Sequence, residues 1–209
     1  MGHRFEALAL GIGNVLWADE GFGVRAVEVL HATYAFPDAV AVEDGGTQGL
    51  YLYDLIASAR RVLVFDAIDF ALPPGTLRVF RDRDVPSWTA TKMSPHQTGF
   101  NDVLALARLM NRSPEAITLI GVQPEALADL GGSLRPSVKA RVAEAVEVGA
   151  RELSSWGFPG TRRVGGDYAP LNASALAIDA YETGRPSEAE ACRVGDARLM
   201  HRAATRVGD

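Results

Sequence analysis

Short continuous apolar runs alternate with helix-length amphipathic segments through the first three-quarters of the chain. This alternation limits the possible folds more than any other feature. Residues 7–12 (ALALGI) form the first run. Residues 23–34 follow, with Val24, Val27, Leu30 and Tyr34 spaced for one helical face. A second run at 39–42 precedes a helical pattern at 49–59. The run at 61–65 (RVLVF) is the most β-prone. Residues 76–80 alternate behind the turn Pro73-Pro74-Gly75, which suits an edge or antiparallel strand. A helical pattern at 100–109, a strand at 116–122 and a long amphipathic helix at 137–156 complete the series. Strands buried on both faces read as continuous apolar runs. The expected fold is therefore α/β: a three-layer sandwich with a twisted, mostly parallel five-stranded sheet and helices on both faces.

After Trp156 the pattern weakens. Residues 157–170 (GFPGTRRVGGDYAP) read as a linker, 173–181 as one short helix, and 184–209 as a polar tail. The chain divides into an α/β domain over 1–156 and a weakly structured C-terminal extension over 157–209. Composition removes several function classes. A formal charge of −5 argues against a nucleic-acid binder, because phosphate neutralisation needs a basic face. One cysteine, Cys192, excludes an internal disulfide framework and a multi-thiolate metal site. No apolar run approaches the roughly 20 residues that cross a bilayer, and the N-terminus lacks a secretory pattern. The expectation is a cytoplasmic protein without membrane insertion.

In open α/β sheets, ligands bind beyond the carboxyl ends of the strands. The polar residues there are Asn14, Asp19 and Glu20 after the first strand, and the DGGTQG block from Asp44 to Gly49 after the second. Asp66 and Asp69 follow the third strand, Lys92, Ser94 and His96 sit in the long loop after the fourth, and Gln123 and Glu125 follow the fifth. Gly11-Ile12-Gly13 lacks the third glycine of a dinucleotide fingerprint, since position 16 is Leu16. No G-x-S-x-G elbow occurs, and Cys192 lies in the tail. Glu20, Asp66 and His96 together offer two carboxylates and an imidazole, a set suited to zinc or nickel with open positions for substrate. Each also has an ordinary role open to it: Glu20 at a helix N-terminus, Asp66 capping a turn, His96 in a loop. Trp17 and Phe22 are either core residues or an apolar rim. Gly45, Gly46 and Gly49 serve either tight turns or close approach of an extended peptide.

Five segments carry a family resemblance: LGIGNVLWADEGFGVRAVE (10–28), VEDGGTQGLYL (42–52), VFDAIDFALPPGTL (64–77), KMSPHQTGF (92–100) and LIGVQPE (119–125). In this order and spacing they resemble the NiFe-hydrogenase maturation endopeptidases, chiefly the type serving uptake or membrane-bound hydrogenases. The resemblance runs from about Leu8 to about Trp156.

The resemblance implies an endopeptidase that removes a C-terminal peptide from the nickel-loaded precursor of the hydrogenase large subunit. It implies metal contacts at Glu20, Asp66 and His96. Nickel would arrive with the precursor, and zinc or cadmium could stand in for it; no organic cofactor is implied. Asp44 matches a cleft motif tied to selectivity, and Gly45, Gly46, Thr47, Gln48 and Gly49 are the matching substrate-binding residues. Catalysis would fall to Asp44, Glu20 and Asp66. A resident-zinc peptidase and a non-catalytic nickel-sensing checkpoint for the large subunit are the competing readings.

Overall fold

A computed structural model describes residues 3–85, 95–165 and 168–184. Its centre is a sheet of β1 (Phe5–Ile12), β3 (Val40–Gly46), β4 (Ala59–Ala67), β5 (Leu77–Arg81) and β6 (Ala116–Val122). The spatial order is β3-β1-β4-β6-β5. All neighbours are parallel except β5, which runs antiparallel to β6 at the edge. The expected five-stranded, mostly parallel sheet is therefore present, with the turn before β5 giving the reversed strand. A separate two-stranded ladder joins β2 (Tyr34–Ala35) to β7 (Thr161–Arg162).

Side-chain alternation along each strand separates two cores. Ala7, Ala9, Leu63, Phe65, Ile120 and Val122 face α1 (Phe22–Thr33) and α5 (Val142–Ser155). Leu8, Leu10, Ile12, Val62, Val64 and Leu119 face α2 (Tyr53–Ala57) and α3 (Pro95–Leu109). Helices thus cover both faces, as expected for buried parallel strands. The amphipathic segment at 137–156 is divided into α4 (Pro136–Lys139) and α5. Pro136 opens α4, where its missing N–H costs nothing. A tight turn in which the Arg141 N–H donates to the Val138 carbonyl (2.9 Å) then separates the two helices. The pattern at 49–59 is likewise a 3-10 turn, Gly49–Leu52, followed by the short α2.

Close packing of α1 on the sheet depends on glycine. A β-carbon at Gly23 would lie 2.2 Å from the carbonyl oxygens of both Ile12 and Phe65. The first turn of α1 therefore rests directly on the ends of β1 and β4. The chain leaves β1 toward β3 on one side and returns to β4 on the other. The switch point, where a crevice opens in such sheets, lies between these two strand ends.

A half-buried ion pair ties β5 and β6 to α5. Arg81 donates to both oxygens of Glu152 (3.0 and 2.7 Å), and the Thr118 hydroxyl donates to Oε1 (2.7 Å). The hydrogen bond from Arg81 holds the Glu152 carboxyl below its ordinary value, against the opposing effect of burial. A carboxyl depressed by folding stabilises the native state above its unfolded pKa, and that stability is lost as pH falls through the folded value. Thermal stability should fall as pH drops below the ordinary glutamate value of 4.5. In Glu152→Gln the fall should be shallower; an unchanged slope in thermal melts would remove Glu152 from the acid response. Because the Arg81 side chain is 56% exposed, its loss should cost only about 1–2 kcal/mol.

The segment after Trp156 lies along α1. β7 pairs with β2, and Arg162 donates to Glu147 (2.6 Å), whose carboxylate also accepts from the Tyr34 hydroxyl (2.9 Å). Burial and this carboxylate together push the Tyr34 phenol up. Arg163 Nε donates to the His31 and Tyr34 carbonyls (2.9 and 3.2 Å). Farther on come a 3-10 turn, Ser174–Leu176, and α6 (Ile178–Gly184). Residues 185–209, including Cys192 and His201, lie outside the described residues.

Candidate active site

A cleft of about 510 Å³ opens at the carboxyl edge of the parallel strands. Three loops wall it. Asn14, Trp17 and Glu20 come from the turn after β1, Thr47 and Gly49 from the turn after β3, and Leu127 and Ala128 from the loop after β6. The volume falls within the range of small-ligand and peptide sites.

Glu20 sits in a 3-10 turn, Ala18–Gly21, that packs against β4. The turn is fixed from both sides. Asn14 Oδ1 accepts the Leu16 N–H (3.0 Å), and the Asn14 N–H donates to the Glu20 carbonyl (3.1 Å). Asp19 points the other way and is fully buried. Its Oδ2 accepts the N–H groups of Glu125 and Ala126 (2.8 Å each), and its Oδ1 accepts that of Arg135 (2.7 Å). Of the adjacent pair, Asp19 is the structural acid and Glu20 faces the cleft.

Asp66, the penultimate residue of β4, lies beside Gly121 of β6 and is 4% exposed. Its Oδ1 accepts the Ala67 N–H (2.8 Å). By strand alternation it shares a face with Val62 and Val64, the face covered by α2 and α3. Gln123 shapes the loop that follows, its Oε1 accepting the N–H groups of Phe70 (2.7 Å) and Leu72 (3.2 Å). His96 belongs to the first turn of α3. That helix packs against the 3-10 turn after the DGGTQG block and then leads into the start of β6. Its first turn is thereby placed toward the carboxyl edge. The His96 side chain lies outside the described residues. Among the described residues no three histidine, cysteine, aspartate or glutamate side chains form a metal-holding group.

The DGGTQG block forms the end of β3 and the turn beyond it. Asp44 Oδ1 accepts the Gly46 N–H (2.8 Å), an Asx-type turn. Gly46 has φ +46°, and its carbonyl accepts the Gly13 N–H (3.0 Å), joining two cleft walls. Gly45 is buried against Leu10. Gln48 is exposed and precedes the 3-10 turn, while Thr47 and Gly49 line the cleft. Trp17 lines the cleft and bridges to Leu130 and Gly132, whereas Phe22 is wholly core. The rim idea thus holds a place for Trp17 alone.

Sequence reasoning placed Glu20, not Asp19, in the candidate metal set, but it gave Asp19 no role, because nothing local signals that an acid beside it is buried and satisfied by backbone N–H groups. Asn14 stood in the sequence only among the polar residues after the first strand; its turn with Leu16 comes from the structure. The loop at 127–128 gave no signal at all.

Comparison with known proteins bears on the fold and the family. The family model for hydrogenase maturation protease matches residues 24–152. The hydrogenase expression/formation protein HoxM of Cupriavidus necator is 54% identical over 197 residues, covering 92% of this chain and 97% of that protein. HupD of Rhodobacter capsulatus, also a hydrogenase expression/formation protein, is 54% identical over 202 residues, covering 95% of each. The solved hydrogenase maturating endopeptidase HybD from E. coli superposes with a TM-score of 0.73 at 39% identity, over 76% of this chain and 98% of that one. No helix among the described residues is long and apolar enough to cross a membrane. With a matching sheet, matching sequence blocks and a family model spanning more than half its length, the chain belongs to the hydrogenase maturation protease family.

Proposed function

We propose that this protein cleaves a C-terminal peptide from the nickel-loaded precursor of a hydrogenase large subunit, in the cytoplasm. The observation that carries the reading is the cleft at the carboxyl edge of the sheet, with Glu20 on one wall and the Thr47–Gly49 turn on another. Its surroundings suit a protein substrate. Leu16 and Leu130 on the loops beside it, and Leu50 and Tyr51 in the 3-10 turn, are all exposed, Tyr51 to 90%.

In this reading the metal belongs to the substrate. Nickel in the precursor docks between Glu20, Asp66 and His96, and zinc or cadmium can take its place. An empty precursor lacks that contact and is rejected. The ion polarises the scissile carbonyl or acidifies an attacking water. Each Asp44 oxygen already accepts a hydrogen bond from the protein, so Asp44 acts as a fixed shaping acceptor for the Gly45–Gly49 turn. Glu20, which faces the cleft, is the carboxylate assigned to take up the water's proton. Asp66, as a metal contact, keeps the ion in register with that water. Thr47 and Gly49 line the extended peptide, with Gln48 at the outer end of the turn.

Incubation with nickel-loaded precursor, followed by mass spectrometry, is expected to show loss of a C-terminal peptide. Apo precursor should persist. Cleavage of neither form would leave only a nickel-sensing role. The purified enzyme should carry little zinc or nickel through gel filtration; one zinc per chain would instead mark a resident-metal peptidase.

A further inference from the structure

The segment after Trp156 reaches the candidate site through one side chain. Asn172 Nδ2 donates to Asp44 Oδ2 (2.8 Å) and to Glu28 Oε1 (2.9 Å). Both neighbours are carboxylates, so this amide orientation is the one that satisfies them. Asn172 is itself fixed on both sides. Upstream, the Ala169 carbonyl meets His31 Nε2 (3.0 Å). Downstream, the Leu176 carbonyl accepts from Arg25, which is buried and pairs with Glu28 (2.8 Å). Beyond that, Glu182 accepts from Ser133 (2.7 Å) and Lys139 (2.8 Å).

We propose that Asn172 is a positioning residue for Asp44, which makes the segment after Trp156 part of the substrate-selecting edge of the cleft. The proposal rests on the proposed proteolytic reading. The path is short and continuous. Asn172 holds one oxygen of Asp44, and the other oxygen holds the Gly46 N–H. Gly46, at φ +46°, turns the chain so that Thr47 and Gly49 form the cleft wall. Asn172 touches neither the peptide nor the metal contacts; it sets the wall against which the peptide lies. The family match ends at 152, so this residue lies beyond the part that defines the family. Charge supports an amide here. A third carboxylate at this position would face Asp44 and Glu28 at hydrogen-bonding range, and like charges there repel.

Two measurements on the full-length protein test it. By hydrogen exchange, Asn172→Ala should speed exchange of the peptide containing residues 44–49 by about tenfold, the usual effect of losing one charge-assisted hydrogen bond. Exchange in β4 should stay unchanged. In steady-state cleavage of nickel-loaded precursor, the same variant should raise KM by about tenfold with kcat within about twofold. Asn172→Ala should add nothing further in an Asp44→Ala background. Lys139→Ala, which removes an anchor of the segment without touching Asp44, should match the wild type in both assays. Unchanged exchange at 44–49, an unchanged KM, additive effects with Asp44→Ala, or the same phenotype in Lys139→Ala would each overturn the proposal. If the wild type cleaves no precursor, the proteolytic reading fails, while the exchange result still decides whether Asn172 positions Asp44.

Discussion

An Asp66→Asn protein is expected to fold like the wild type and to cleave nickel-loaded precursor on the order of 100-fold more slowly, or not at all. The substitution keeps the volume at a 4%-exposed position near the end of β4. It also keeps an oxygen that can accept the Ala67 N–H. What disappears is the anionic oxygen that the proposed mechanism offers to the substrate's metal. Thermal melting within a few degrees of wild type, together with lost cleavage, would separate the metal contact from a structural role. Replacement of His96 by alanine should give the same kinetic result. Processing at the wild-type rate by either variant would remove that residue from the metal-contacting set.

A large stability effect should come from Gly23→Ala. Helix propensity alone favours alanine by about 1 kcal/mol. Packing opposes it. The new methyl would sit 2.2 Å from two backbone carbonyl oxygens, of Ile12 and Phe65, and 2.8 Å from the Ile12 nitrogen. Backbone atoms of two central strands cannot swing aside as a flexible side chain can. Helix α1 must lift, and Phe22, Ala26 and Val27 lose contact with the sheet. A loss of about 3 kcal/mol or more is expected, a fall in Tm of roughly 6–12 °C. Gly184→Ala, with open space around its β-carbon, should stay within about 0.5 kcal/mol of wild type. A Gly23→Ala protein that melts with the wild type would show that α1 does not need this close approach.

The sheet was legible because its central strands are buried on both faces. Continuous apolar runs such as residues 61–65 then have few alternatives, and the turn at Pro73-Pro74-Gly75 marked the strand that reverses. Helix boundaries were less legible. The apolar spacing from Val138 to Leu153 persists across the tight turn at Arg141, so periodicity alone could not divide α4 from α5. The strands β2 and β7 were not legible, since a two-residue ladder has no period and forms through contacts distant in sequence. At the site, strand ends pointed to Glu20, Asp44 and Asp66 because topology gathers such residues at one edge. Asn172 carried no signal. It meets Asp44 across 128 residues of chain, and only the docking of the whole segment brings them together.

The bonding around the cleft bears on how a substrate enters. Asp19 binds the turn after β1 to the loop after β6 through three backbone N–H groups. The Gly13 N–H binds that same turn to Gly46. Among the described residues the cleft walls are therefore tied into one frame by these bonds. Adaptation falls to the incoming chain. A precursor whose tail is still mobile can thread such a slot, and a subunit that has already folded its tail away cannot. On the proposed reading the frame would then act as a timing device, admitting the substrate only during the interval between metal loading and final closure.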